Sequence, residues 1–464
     1  MPELKHPQRG VNVPAINRAK LVQLLERERK TYIERNPKSL ALYKEATNLF
    51  GGVPMTWMNK WSGGFPLYLE TAHGNTITTV DGHTYIDFAL GDTGAMAGHS
   101  PDASSKAIAK RIMDDGGITT MLPTDDAQWV GKELTRRFGM PLWSFTLTAT
   151  DANRWAIRLA RLATGKSKIL VFAYCYHGSV DEAFAVPDQN GNATARPGNV
   201  APPVPLDQTT RVVEFNDLSA VERELTNGDV AAILTEPALT NIGIVLPEPG
   251  FLAGLRELAT KYGALLMIDE THTFSAGFGG MTKRDNLKPD IFIIGKSIGA
   301  GIPSGAYGIT NEVAAAIKAH PEADIIDVGG VGGTLAGNSL SMAAMRATLG
   351  EVLTEDAFEK MEKLCDRYTS QVQAVLEKYD VPWSISQVGA RAEYRFAKPA
   401  PINGSASAKA SDDELDEFMH LFMCNRGILM TPFHNMALMC PTTKESEVDQ
   451  HGELFEAAIR ELVS

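Results

Sequence analysis

Between about residue 100 and residue 345, short apolar runs rich in β-formers alternate with helical patterns, and this alternation restricts the fold more than any other feature of the chain. Ile169–Ala173, Ala231–Thr235, Leu265–Ile268 and Ile291–Ile294 are apolar at successive positions. Strands apolar on both faces belong inside a mostly parallel sheet covered by helices, so the expected fold class is α/β. The runs end in polar residues: Glu236, then Asp269 with Glu270, then Lys296. Those exits would gather at the C-terminal edge of the strands, where open α/β sheets bind ligands.

The flanks read differently. Phe65–Phe88 contains short strands broken at His73-Gly74-Asn75 and Asp81-Gly82, the second a hairpin-turn signal, so a small antiparallel unit is expected there. Residues 15 to 35 form a charged helical pattern with Leu21, Leu24 and Leu25 on one stripe, read as a surface arm. After Leu349 the pattern predicts a helix over Glu355–Tyr379, a strand over Arg391–Phe396, and a helix over Asp412–Arg426 with Gly427 as C-cap. Pro399–Ser411, rich in Pro, Gly, Ser and Ala, is expected to be a loop or mobile flap. The expected division is 1–95 for an N-terminal arm and part of a small domain, 96–345 for a large domain, and 346–464 for the rest of the small domain.

The net charge of -12 is spread along the chain, and no basic run suggests nucleic acid or an anionic membrane as partner. Cys175, Cys365, Cys424 and Cys440 show no metal-binding spacing and are too few for a disulfide framework. No metal site is expected, and a reducing cytoplasm fits. The opening residues, with Lys5, Arg9, Arg18 and Lys20, hold no signal-peptide core, and no run is long and apolar enough to span a bilayer.

Asp269 closes an apolar run and would be half buried, which calls for a partner. The protonated ring nitrogen of pyridoxal phosphate (PLP) is one; a capping acid at a strand-to-loop turn is the plainer reading. Lys296 ends the next run, before Ser297-Ile298-Gly299-Ala300-Gly301. A lysine at the exit of a buried strand becomes tolerable when desolvation or a covalent imine removes its charge. The alternative is a lysine that snorkels to the surface.

Taken together, Tyr176-His177-Gly178, Glu236-Pro237, Gly263-Ala264-Leu265-Leu266 leading to Asp269-Glu270, Pro289-Asp290 leading to Gly295-Lys296, and Gly333-Thr334-Leu335-Ala336-Gly337-Asn338 resemble the class III family of fold type I PLP aminotransferases. The likeness runs from about Phe65 to the C-terminus and is greatest to the branch that includes glutamate-1-semialdehyde aminomutase, with ω-transaminases nearby. The resemblance implies a large, mostly parallel seven-stranded-type sheet domain with helices on both faces, and a small α+β domain built from both termini. It implies PLP as cofactor, Lys296 as Schiff-base lysine and proton carrier, and Asp269 as partner of the ring nitrogen. Tyr176, followed by His177, would stack on the ring, and Thr271 would pack on its other face, where the family usually has valine. Glu236 matches the Glu-Pro motif. Thr148, Ala149 and Thr150 would cradle the phosphate at a helix N-terminus, although the family's usual Ser-Gly-Thr-Glu here reads Thr-Ala-Thr-Asp; the same residues also read as an ordinary helix cap. Thr334 matches a threonine that reaches the cofactor of a partner subunit, which implies a homodimer. His272 is outside the usual motif; a hydrogen bond to Asp269 or to the ring oxygen is one reading, a satisfied loop histidine the other.

The substrate is less legible. The aminomutase branch carries an arginine after Gly-Gly-Val, whereas Gly51-Gly52-Val53 is followed here by Pro54-Met55-Thr56-Trp57-Met58. Amine–pyruvate relatives use an arginine in a C-terminal loop, and Leu429–Met436 contains none. Arg391, Arg395 and His434 are the candidates left for a carboxylate, although a solvated or salt-bridged arginine is the more ordinary finding. Trp57, Met58, Trp61 and Phe433 would form an apolar mouth, or simply pack. The expected reaction is ping-pong transfer of an amino group from an amine or amino acid, including ω- or β-amino donors or a hydrophobic amine, to a keto acid such as pyruvate. A 2,1-aminomutase acting on glutamate 1-semialdehyde, or a PLP racemase, is the alternative on the same fold.

Overall fold

Residues 16–198, 204–322 and 330–464 are described by the structure, a computed structural model. Lys5, Arg9 and Ala15 lie outside them. Contacts divide the chain into two units: one comprises the residues up to Ser100 with Lys360–Pro401 and Ser407–Ser464, the other Pro101–Glu359 with Ile402–Ala406. Among the described residues no helix is long and apolar enough to cross a membrane, and all four cysteines are buried and unpaired.

The first unit opens with a helix over Arg18–Arg35, its N-terminus capped by the side chain of Asn17, which accepts from the Lys20 N–H. It is not a surface arm. Leu21, Leu24, Leu25 and Tyr32 are buried, and the helix packs along the helix Asp413–Cys424, with Arg29 paired to Glu417 and Arg18 to Asp412. The charges that suggested an arm are thus partly the ties that hold it down. Strands β1 (Leu69–His73), β2 (Thr76–Thr79) and β3 (Thr84–Asp87) follow as an antiparallel meander. Both turns rest on a glycine in the left-handed region, Gly74 at φ 58° and Gly82 at φ 82°.

In the second unit the apolar runs become the middle of a seven-stranded sheet. Its strands are β4 (Leu142–Thr146), β5 (Lys168–Phe172), β8 (Thr210–Val213), β9 (Val230–Thr235), β10 (Leu265–Asp269), β11 (Ile291–Gly295) and β12 (Gly305–Ile309), with a separate hairpin of β6 (Ala185–Pro187) and β7 (Ala193–Ala195). The order is β4-β12-β11-β10-β9-β5-β8. β12 pairs antiparallel with both neighbours, and the pairs from β11 to β8 are parallel. Every residue of β9 and of β11 is buried, which is why those runs lack a polar face. The helices Ala149–Thr164 and Phe251–Tyr262 pack on this sheet.

The C-terminal part of the first unit adds β13 (Ser384–Val388), β14 (Arg391–Arg395), β15 (Ile428–Leu429) and β16 (Met436–Leu438). β13, β14 and β16 form a three-stranded antiparallel sheet, and β15 lies parallel to β3. The helix begins at Asp413, capped by Asp412, and ends at Cys424, two residues before the expected Arg426. Pro399–Ser411 is no simple flap. It holds the helix Gly404–Lys409, Arg395 Nη2 donates to Ser411 Oγ at 2.9 Å, and Asn216 Nδ2 donates to the Ile402 carbonyl at 2.8 Å. Its small residues permit close approach: a Cβ on Gly404 would stand 2.1 Å from the Ala173 carbonyl oxygen.

Candidate active site

The C-terminal edge of the large sheet collects the residues singled out above within one unit. β10 delivers Asp269, β11 leads into Lys296, β9 into Glu236, β5 into Tyr176 and His177, and β4 into the helix that starts after Thr148. Asp269 is 3% exposed. Its Oδ2 accepts from Asn153 Nδ2 at 2.7 Å and lies 2.9 Å from His177 Nδ1, while Oδ1 accepts from the Thr271 N–H at 3.0 Å. Burial pushes the Asp269 carboxyl up, but the hydrogen bond and charge of His177 outweigh it and hold the group below the usual aspartate range. Burial likewise opposes a charge on His177, yet Cys175 and Asp269 hold the ring above the ordinary histidine range. The two groups form a buried carboxylate–histidine pair, each favouring the charged form of the other. Asn153 was not anticipated. It sits on the buried stripe Ala152, Asn153, Ala156, Ile157 of its helix, and an amide on an apolar stripe is the signal that could have found it.

Lys296 follows Gly295 with φ at 53°, a region few residues other than glycine occupy. Such backbone persists where the surroundings over-determine it. A Cβ on Gly295 would meet Ala149 at 2.9 Å, so the strand end is pressed against the start of the Ala149–Thr164 helix. The Lys296 amine Nζ is 2.9 Å from His272 Nε2, and His272 is 7% exposed. His272 therefore faces the lysine rather than Asp269, whose oxygens are taken by Asn153, His177 and Thr271. Thr271 is buried, and its Oγ1 has no hydrogen-bond partner. Glu236 is buried; it accepts from the Tyr176 N–H at 3.3 Å and from the Thr240 hydroxyl. Burial pushes its carboxyl up to about 7, against the pull of His177 and Thr240. Tyr176 is half-buried, its ring edge-on to Phe184 at 6.1 Å.

The Thr148 side chain caps the Ala149–Thr164 helix by accepting from the Asp151 N–H at 3.2 Å. Ala149 has helical backbone, so alanine in place of the family's glycine carries no conformational cost. The loop of Tyr176 and His177 is seated on this helix start: Ser179 N–H donates to Thr150 Oγ1 at 3.3 Å, and Gly178, at φ 79°, has no room for a Cβ, which would fall 2.0 Å from that hydroxyl. Thr334 is exposed, in the turn before Asn338, whose side chain caps the helix Ser339–Ala347.

Trp57, Arg391 and His434 belong to the other unit. Trp57 is 37% exposed, with its ring edge-on to Phe433 at 5.6 Å. Arg391 is no solvated arginine: at 0% exposure, it lies 3.2 Å from Thr93 Oγ1 and 3.9 Å from Glu393. His434 Nδ1 is 3.1 Å from Glu393 Oε1.

The residues at the sheet edge fit PLP. A buried carboxylate suits a protonated ring nitrogen, a lysine amine suits an aldehyde, the unpartnered Thr271 hydroxyl awaits a polar atom, and the free N–H groups of a helix start suit a phosphate. Residues 57–459 match the family Aminotransferase class-III. The chain is 34% identical over 411 residues to a glutamate-1-semialdehyde 2,1-aminomutase of Roseiflexus castenholzii, covering 87% of this chain and 91% of that one. Its structure resembles a glutamate-1-semialdehyde-aminomutase from Pseudomonas aeruginosa PAO1 with 45% identity, a TM-score of 0.93, and coverage of 97% and 100% of the two chains. It also resembles an omega-transaminase from Sphaerobacter thermophilus, with 26% identity, a TM-score of 0.83, and coverage of 93% and 100%. With that match spanning almost the whole sequence, the chain belongs to the class-III aminotransferase family of fold type I enzymes, whose cofactor is pyridoxal phosphate.

Proposed function

We propose that the protein is a PLP enzyme that relocates an amino group on a small substrate, with Lys296 as covalent anchor and proton carrier and Asp269 as partner of the ring nitrogen. The observation that carries this reading is that neighbouring strands of one sheet end in the buried Asp269, held toward its ionised form, and lead into Lys296. When bound, PLP draws electrons from the substrate carbon that bears nitrogen, so the proton on that carbon becomes removable. Asp269, held ionised by His177 and oriented by Asn153, would keep the ring nitrogen protonated. Lys296 would take the proton from the substrate carbon and return it elsewhere. Thr148, Ala149 and Thr150 would hold the phosphate, Tyr176 and Thr271 would close on the two ring faces, and Glu236 would brace the Tyr176 loop. Thr334, exposed in the single chain, suits a role at the cofactor of a second subunit in a homodimer.

Similarity to two glutamate-1-semialdehyde aminomutases supports intramolecular transfer, from one carbon to the next, over the transfer to a separate keto acid expected from the sequence. The second reading keeps one specific support: Gly51-Gly52-Val53 is not followed by the arginine that the aminomutase branch carries there. Offering glutamate 1-semialdehyde to the PLP-loaded protein without any keto acid separates the two. Appearance of an isomer of the same mass, lost in Lys296→Ala, is expected; turnover only when pyruvate and an amine are supplied together would favour the aminotransferase.

A further inference from the structure

His272 lies beside the amine of Lys296. It follows β10 by three residues and precedes the short helical turn Thr273–Ala276. That turn is pinned from behind: Glu270, fully buried, accepts from Thr273 Oγ1 at 2.5 Å and from the Thr282 N–H, and a Cβ on Gly280 would stand 2.7 Å from its carboxylate. The His272 carbonyl accepts from the Ser275 N–H at 3.3 Å. A ring carried on so fixed a turn is a stable reference point. Lys296, by contrast, ends a flexible four-carbon side chain, and its left-handed backbone sets only the direction in which that chain departs. The contact at 2.9 Å between His272 Nε2 and Lys296 Nζ sets the amine against that fixed ring.

We propose that His272 is a positioning residue for Lys296: its Nε2 accepts a hydrogen bond from the amine and fixes the direction of the nitrogen lone pair. The ring proton then sits on Nδ1. This inference rests on the proposed function, since it assigns His272 to the lysine that anchors PLP. A nitrogen held in line for attack gains through orientation, and a displacement of about 1 Å costs up to about a hundredfold in rate.

The test measures capture of PLP by Lys296 rather than turnover. Full-length protein stripped of cofactor is mixed with PLP, quenched with borohydride at intervals, and the fraction of the Lys296 peptide carrying the reduced adduct is read by mass spectrometry. His272→Leu is expected to capture PLP roughly tenfold more slowly and to reach the same endpoint. His272→Gln, which can present an acceptor to the amine, is expected to restore most of the rate, and His272→Asn, polar but too short to reach, is expected to stay slow. If His272→Leu loses its cooperative thermal transition, the Gln and Asn pair carries the comparison. Equal capture rates in wild type, Leu and Asn variants, or a Gln variant as slow as Asn, overturn the inference. Absence of any Lys296 adduct in the wild type overturns the proposed function itself and this inference with it.

Discussion

Asp269 in the large unit and Glu393 in the small one make an instructive pair. Each is a buried carboxylate with a histidine nitrogen close by, at 2.9 Å for His177 and 3.1 Å for His434. Burial pushes each up, and the histidine brings each back below the ordinary carboxylate range. Their settings differ. Glu393 lies in the middle of β14, with strand partners on both sides at Ser386 and Met436, and Arg391 and Arg395 help hold its charge. Asp269 ends a parallel strand whose neighbour β11 leads directly into Lys296. A buried ion pair alone therefore does not mark a site; the proposed one is set apart by its place at a strand exit, beside the strand that leads into Lys296.

Breaking the comparison starts with Lys296, the proposed anchor of the cofactor. Lys296→Ala should lower turnover by roughly 10⁴-fold or more and abolish borohydride trapping of PLP, with an unchanged thermal unfolding curve. Next in size, Glu393→Leu should cost about 3–5 kcal/mol of stability in urea unfolding, because Arg391 and His434 are left buried without their carboxylate. Lys296 trapping in the folded protein should not change; a trapping defect would erase the distinction between the two clusters. Asp269→Asn should reverse that pattern, lowering the rate by roughly a hundredfold through loss of the charge that holds the ring nitrogen's proton.

The smallest effect concerns Glu236. Its folded pKa of about 7 stands above the ordinary glutamate value of 4.5, so between those values the native state holds a proton that the unfolded chain has lost. Stability from this group is thus highest below pH 4.5, falls as pH rises toward 7, and levels off above it. Asp416, also pushed up by burial to about 7, adds a fall of the same sign. Glu236→Gln should therefore remove only part of the slope, roughly 1–3 kcal/mol between pH 4.5 and pH 8 in urea midpoints. An unchanged slope would mean that Glu236 is not protonated in the native state at neutral pH.

The sheet core was readable because β5, β9, β10 and β11 are apolar on both faces. β12 was not picked out, since Gly305-Ala306-Tyr307-Gly308-Ile309 lacks an apolar run; its glycine serves contact instead, as a Cβ on Gly305 would stand 2.7 Å from the Thr148 carbonyl. β13, with Ser384, Ser386 and Gln387, hides for a similar reason. Asp269 and Lys296 stood out because each closes an apolar run. Asn153 did not, and His177, singled out in its motif, was not tied to Asp269: they lie 116 and 92 residues from it, separations at which local periodicity says nothing. For His272 the sequence pointed to the residue but not to its partner, because the turn after β10 aims the ring across to the next strand exit.

The seating of Ile402–Ala406 among the residues of the large unit bears on how the protein is made. A ribosome delivers Pro101–Glu359 before Lys360–Pro401, and only afterwards the five residues Ile402–Ala406 that belong with the earlier stretch. Domains generally fold as units during synthesis, yet this one must wait for a late-arriving segment before the surface around Ala173, Glu214 and Asn216 is covered. A gene cut after Glu359 would encode the sheet but leave that surface bare, so a contiguous stretch that keeps the surface covered must run through Lys360–Pro401 of the other unit to reach Ala406.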